Sequence, residues 1–126
     1  IEDKMPAELS GGMRKRVGLA RAIASEPPIL LYDEPTTGLD PVTSAVINRL
    51  IRTLQKKLSV TSIVVKHDMT SAAYIGDRMG LLHNGRMHFI GAPAEFESSK
   101  DELVRQFTRG EAVGPLSEQW KGDEGP

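Results

Sequence analysis

Asp33 and Glu34 are adjacent carboxylates that close an apolar run, Ile29-Leu30-Leu31-Tyr32. At the end of a buried strand such a pair repels itself and loses solvation unless something positive sits beside it. Mg²⁺ meets that need, because it takes one or two protein carboxylates and completes its shell with water and phosphate oxygens. Neighbouring strand side chains point to opposite faces. Asp33 is therefore assigned to the ion, and Glu34 to a water that it activates as a general base. The plainer reading is an Asp-Glu-Pro that ends a strand and faces solvent, and the tripeptide alone leaves both open.

Ser10-Gly11-Gly12 is a glycine turn before a helix-forming stretch. Unpaired N–H groups and a partial positive charge make such a turn an anion site, although Ser10 also serves as an ordinary helix cap. His67 closes a second β-branched run, Val60 to Val65. At a strand end beside the Asp33 strand, a neutral imidazole can hydrogen-bond a terminal phosphate or an attacking water. Alone, it reads equally well as structural. Asp40-Pro41 is a helix start, with Asp as cap and Pro in the first turn. The basic run Arg14-Lys15-Arg16 fans out at helical spacing and reads as a solvated face, while His83 and His88 flank a hairpin tip and receive no role. Three scattered histidines and no cysteine argue against zinc.

The elements that must position these residues follow from periodicity. A helix follows Gly12 and stops before Pro27-Pro28. The non-alternating Ile29–Tyr32 run suits a strand covered on both faces, as in parallel sheets. Val46, Leu50, Leu54 and Leu58, widened by Ile47 and Ile51, predict an amphipathic helix of about four turns. Residues 29–65 then form a βαβ unit with parallel strands and a right-handed crossover. Asp33, Glu34 and His67 fall at carboxyl strand ends, where ligands gather in open α/β sheets. A short helix over 69–75 comes next, then a hairpin around Asn84-Gly85, a weak helix near Glu95 and a helix over 101–108. From Gly110 onward only Leu116 and Trp120 look buriable, and the last few residues are expected to be disordered.

With 126 residues, 39% hydrophobic and 26% charged, the chain is long enough to bury a core. A net charge of -1 gives no footprint for nucleic acid, and the absence of cysteine removes disulfides and thiol nucleophiles. No apolar run approaches the ~20 residues of a membrane span.

In order and spacing these residues resemble the motifs of ABC transporter ATPases. Leu9-Ser10-Gly11-Gly12-Met13 resembles the signature motif, Ile29 to Glu34 the Walker B strand with its catalytic glutamate, Gly38-Leu39-Asp40 the D-loop, and His67 the switch histidine. Gly85 to Gly91 is similar to the hairpin that follows in that family. The resemblance implies an α/β fold: a partial P-loop NTPase of the ABC nucleotide-binding type, with parallel strands, crossover helices and a C-terminal hairpin. Residues 1–109 would belong to that domain and 110–126 to a partly disordered tail. It implies ATP and Mg²⁺ as ligands, with Asp33 on the metal, Glu34 polarising the attacking water and His67 on the γ-phosphate. Leu9 to Met13 would meet the ATP of a second, identical ATPase subunit, and Gly38, Leu39 and Asp40 would couple the two sites across the dimer. Met13, where most members carry Gln, and Lys66, before the histidine, depart from the pattern.

Glu8 to Met13 and Gln106-Phe107, followed by Gly110, Gly114 and Pro115, look like the phospholipid-trafficking, or toluene-tolerance, branch. That branch implies a transmembrane permease, an MCE-domain substrate-binding protein, no nucleic acid, and a place on the cytoplasmic face of the inner membrane. Its C-terminal tail can reach a neighbouring subunit. The sequence contains no G-x-x-x-x-G-K-[ST] phosphate loop. The Walker A half and the Q-loop are therefore expected ahead of Ile1, and this polypeptide alone is expected neither to bind ATP tightly nor to hydrolyse it. Without the neighbours that half would provide, the Ile29–Tyr32 strand is expected to leave apolar surface and a sheet edge exposed, and the chain to self-associate. Two rivals are a non-transport ABC-type ATPase, for whose long insertions residues 13–67 have no room, and a non-catalytic docking module.

Overall fold

The computed structural model describes residues 2–118. The chain divides into two units, one ending at Ile75 and the other beginning at Gly76. The first contains a 3-10 turn at Pro6–Glu8, helix α1 (Gly11–Ile23), strand β1 (Ile29–Asp33), helix α2 (Pro41–Leu58), strand β2 (Thr61–Val65) and helix α3 (Met69–Ile75). The second contains β3 (Met79–His83), β4 (Arg86–Gly91) and helices α4 (Pro93–Glu97), α5 (Glu102–Arg109) and α6 (Pro115–Glu118).

Side-chain caps start α1, α2 and α5, and Asp68 likewise caps α3 through the Thr70 and Ser71 amides. Ser10 Oγ accepts from the Met13 amide at 3.2 Å, Asp40 Oδ1 from Thr43 at 2.9 Å and Asp101 Oδ1 from Val104 at 3.0 Å. Each bond satisfies an amide that the helix itself leaves unpaired.

β1 and β2 pair in parallel, with Ile29 opposite Thr61 and Asp33 opposite Val65. This is the expected βαβ unit, and it brings the two carboxyl strand ends together. Its core gathers Leu19, Leu30, Tyr32, Ile47, Ile51, Val60 and Ile75. Arg52 donates to the Ile75 carbonyl at 3.1 Å, tying α2 to the end of α3.

One expectation needs correction and another is met. The buried line of α2 runs through Ile47 and Ile51, whereas Val46 and Leu58 are exposed. The helix is rotated so that the residues read as widening the stripe form its centre. As expected of a strand short of its neighbours, β1 is covered on one face alone. Leu30 and Tyr32 are buried, but Ile29 (56% exposed) and Leu31 (74%) share an open apolar face with Ile63 (57%) and Val65 (52%). The unit's core lies on the other face of this two-stranded sheet. Leu31→Lys should therefore raise the concentration at which the 126-residue chain self-associates by about tenfold or more. Equal sedimentation of both forms would contradict this.

In the second unit, Asn84 (φ 49°) and Gly85 (φ 72°) both take positive φ, as a tight two-residue hairpin turn demands. β3 and β4 pair antiparallel, with a bulge between Leu81 and Leu82. Gln106 ties down the chain after α5: its Oε1 accepts from the Leu116 amide at 2.7 Å, and its Nε2 donates to the Glu111 carbonyl at 3.2 Å. The expectations for Trp120 and for a disordered chain end lie outside the described residues.

Candidate functional site

The candidate chemistry lies where β1 and β2 end. Asp33 is the last residue of β1, exposed and on the same face as Leu31. Glu34 follows it and leaves the strand direction. Its φ of +45° is left-handed, a conformation that costs a non-glycine residue on the order of 1 kcal/mol or more. Its amide still donates to the Val65 carbonyl at 3.0 Å, which holds the turn against β2. The kink swings the Glu34 side chain inward and brings Oε1 to 3.2 Å from His67 Nδ1. Glu34 is 22% exposed and His67 86%.

That contact lacks hydrogen-bond geometry, so Glu34 Oε1 is a buried oxygen without a hydrogen-bond donor. An acceptor in that position is suited to a water proton or a cation, because leaving it unpaired is costly. Beside it, Asp33 offers an exposed carboxylate. Among the described residues no group of three or more His, Cys, Asp or Glu side chains forms an all-protein metal cage. One or two carboxylates with phosphate oxygens and water is the coordination that Mg²⁺ favours. The donor set fits that ion.

An open cavity of about 710 Å³ adjoins the site, lined among others by Glu34, Thr36, Asn48, Lys66, His67 and Asp68. Its polar wall was not foreseen from the sequence. Lys66 Nζ donates to Thr36 Oγ1 at 2.6 Å and reaches Asn48 Oδ1 at 3.4 Å. Asn48, buried in the apolar line of α2, donates to Ser71 Oγ at 2.8 Å, and Ser71 Oγ donates to Asp68 Oδ2. Asp68 also accepts from the amides of Thr70 and Ser71. Its hydrogen bond from the Ser71 hydroxyl, more than any other influence, holds its carboxyl below the usual range. Asp68 and Ser71 stand three apart, a helix-start spacing that could have disclosed half of this network.

The glycine turn sits on the start of α2. A Cβ on Gly11 would come within 3.1 Å of Leu39 Cδ2, and one on Gly12 within 2.8 Å of Thr43 Cγ2. Thr43 is fixed in turn, since its Oγ1 donates to Asp40 Oδ2 at 2.6 Å. Those bonds from Thr43, the hydroxyl first, hold the Asp40 carboxyl below its ordinary pKa. Leu9 is buried, and its carbonyl accepts from the Arg14 guanidinium at 3.0 Å. Gly38, at φ +78°, lets the chain turn from Glu34 into Leu39 and Asp40. The structure thus brings Glu34 and His67 together, leaves Asp33 exposed at the end of β1, and packs residues 11 and 12 against Leu39 and the start of α2.

Residues 1–37 match the family model described as ABC transporter. The chain is 40% identical over 123 residues to the probable ribonucleotide transport ATP-binding protein mkl of Mycobacterium leprae, covering 98% of this chain and 35% of that protein. It is 43% identical over 112 residues to the intermembrane phospholipid transport system ATP-binding protein MlaF of Escherichia coli, covering 89% of this chain and 42% of that one. It therefore spans well under half the length of these relatives. A solved dimeric ATP-binding cassette in a post-hydrolysis state with ADP and Pi superimposes with a TM-score of 0.63 at 37% identity, over 72% of this chain and 39% of that one.

Proposed function

This chain belongs to the ATP-binding subunits of ABC transporters, and on that footing we propose that it forms the hydrolytic and dimer-facing portion of a subunit that drives phospholipid transport. The observation that carries the proposal is Glu34 Oε1, buried, without a hydrogen-bond donor and 3.2 Å from His67 Nδ1.

Glu34 takes the proton of the water that attacks the terminal phosphate, and His67 steadies the oxygens of that phosphate. Asp33 holds Mg²⁺, which when bound neutralises charge on the phosphates. Leu9 to Met13 present the signature turn to ATP on a second copy, so each hydrolytic site takes residues from two subunits. Gly38, Leu39 and Asp40 lie between the base and the glycine turn of the same chain, well placed to register one site against the other. The phosphate loop is assigned to a part of the subunit outside these 126 residues, since no such motif occurs within them.

Likeness to the MCE-associated branch, with MlaF among the relatives, supports a phospholipid cargo, a transmembrane permease and an MCE-domain partner. The same likeness supports attachment through that permease, on the cytoplasmic face of the inner membrane. Among the described residues no helix is long and apolar enough to cross a membrane. Phosphate release by the intact subunit, titrated with Mg²⁺, tests the site. Asp33→Asn should raise the Mg²⁺ needed for half-maximal turnover by about tenfold or more. An unchanged Mg²⁺ midpoint would remove Asp33 from the metal.

A further inference from the structure

Lys66 and Asp68 flank His67 in sequence, and both are anchored while the imidazole between them is left exposed. The anchors belong to one continuous polar chain. It runs from Thr36, in the loop between Glu34 and Asp40, through Lys66 to Asn48 on α2, and on through Ser71 to Asp68 at the start of α3. Its members lie on three segments that must keep register if Glu34 and His67 are to meet.

We propose that Lys66 is a positioning residue for hydrolysis: by bonding Thr36 and Asn48 it fixes the loop after Glu34 to the strand end that carries His67. The proposal rests on the hydrolytic reading of Glu34 and His67 given above.

Three observations favour this role over direct phosphate binding. Lys66 Nζ already has two oxygen partners within the protein, and the shorter contact, 2.6 Å to Thr36 Oγ1, is a strong charge-assisted hydrogen bond. Asn48 is buried with both ends of its amide engaged, so it gives Lys66 a rigid second anchor. The loop that Lys66 holds is also the one in which Glu34 takes its left-handed turn and Gly38 a second positive φ. A loop that holds a non-glycine residue in a left-handed conformation needs outside contacts to persist. Burial draws the Lys66 ammonium down, while the Asp68 and then the Glu34 carboxylates work against that shift.

The role predicts a particular kinetic pattern. Lys66→Met keeps the stem and deletes the charge, and Thr36→Val keeps the shape and deletes the hydroxyl. In the intact subunit, each should lower kcat for MgATP hydrolysis about tenfold while KM stays within about twofold. Because the bond that Thr36→Val cuts is one of the two that Lys66→Met removes, the double variant should be no slower than Lys66→Met alone, a non-additivity that separate roles would not give. Thr36→Ser keeps the acceptor and should restore the rate. Additive losses, a raised KM with kcat intact, or variants as fast as the parent would each overturn the proposal. Should Lys66→Met fail to fold, Thr36→Val alone decides, since it leaves Lys66 in place. If the parent subunit itself shows no MgATP turnover, the hydrolytic reading falls and this role falls with it. If the parent turns over normally and the variants match it, only the role of Lys66 is lost.

Discussion

Glu34→Gln should lower MgATP turnover by the intact subunit about a thousandfold and leave ATP affinity within a few-fold of the parent. The amide matches the carboxylate in size and can occupy the same left-handed turn. What it loses is the capacity to take a proton. A positioned general base contributes roughly 10²–10⁴ in rate, so a loss of that size, without a loss of binding, is the signature of base chemistry. If Glu34 merely closed a strand and faced solvent, the substitution would scarcely register. The geometry already weighs against that view, because one carboxylate oxygen is buried without a hydrogen-bond donor next to the His67 ring. Single-turnover phosphate release together with equilibrium ATP binding separates the two cases. A Gln variant retaining more than about a tenth of the parental rate would place the base elsewhere.

The sequence disclosed this site more fully than it disclosed the packing around it. Asp33, Glu34 and His67 were legible because they end β-branched or apolar runs, and a parallel pairing of two such runs brings their ends side by side. Ser10 and Asp40 were legible as caps because a cap depends on residues only three positions away. What escaped was set by distant partners. The left-handed backbone of Glu34 has no local signal, since the residue is neither Gly nor Asn, and it follows from the bond its amide makes to Val65. Asn48 stands in a helix that reads as simply amphipathic, and only the approach of α3 and β2 supplies Ser71 and Lys66 to satisfy it. The open apolar face of Ile29, Leu31, Ile63 and Val65, by contrast, agrees with the sequence: a non-alternating apolar run asks for cover on both faces, and the chain supplies it on one.

Gly12→Ala should cost about 1–3 kcal/mol of stability and slow hydrolysis by the intact subunit at least about tenfold. A methyl at that position would sit 2.8 Å from Thr43 Cγ2, closer than carbon atoms tolerate. Thr43 cannot turn aside cheaply, because its hydroxyl is bonded to Asp40 and the two residues together start α2. Relief therefore requires moving the glycine turn off the helix or breaking the cap, and either shift disturbs the approach to a phosphate on a second copy. The packing cause can be isolated from any direct contact of Gly12 with nucleotide. Thr43→Ser removes the offending methyl and keeps the hydroxyl, so combined with Gly12→Ala it should recover most of the lost melting temperature. Whatever rate deficit survives that repair measures how closely the backbone of residue 12 must approach the phosphate. If Gly12→Ala slows hydrolysis without lowering the melting temperature, the glycine is there for the ligand alone, and the contact between the signature turn and α2 is incidental.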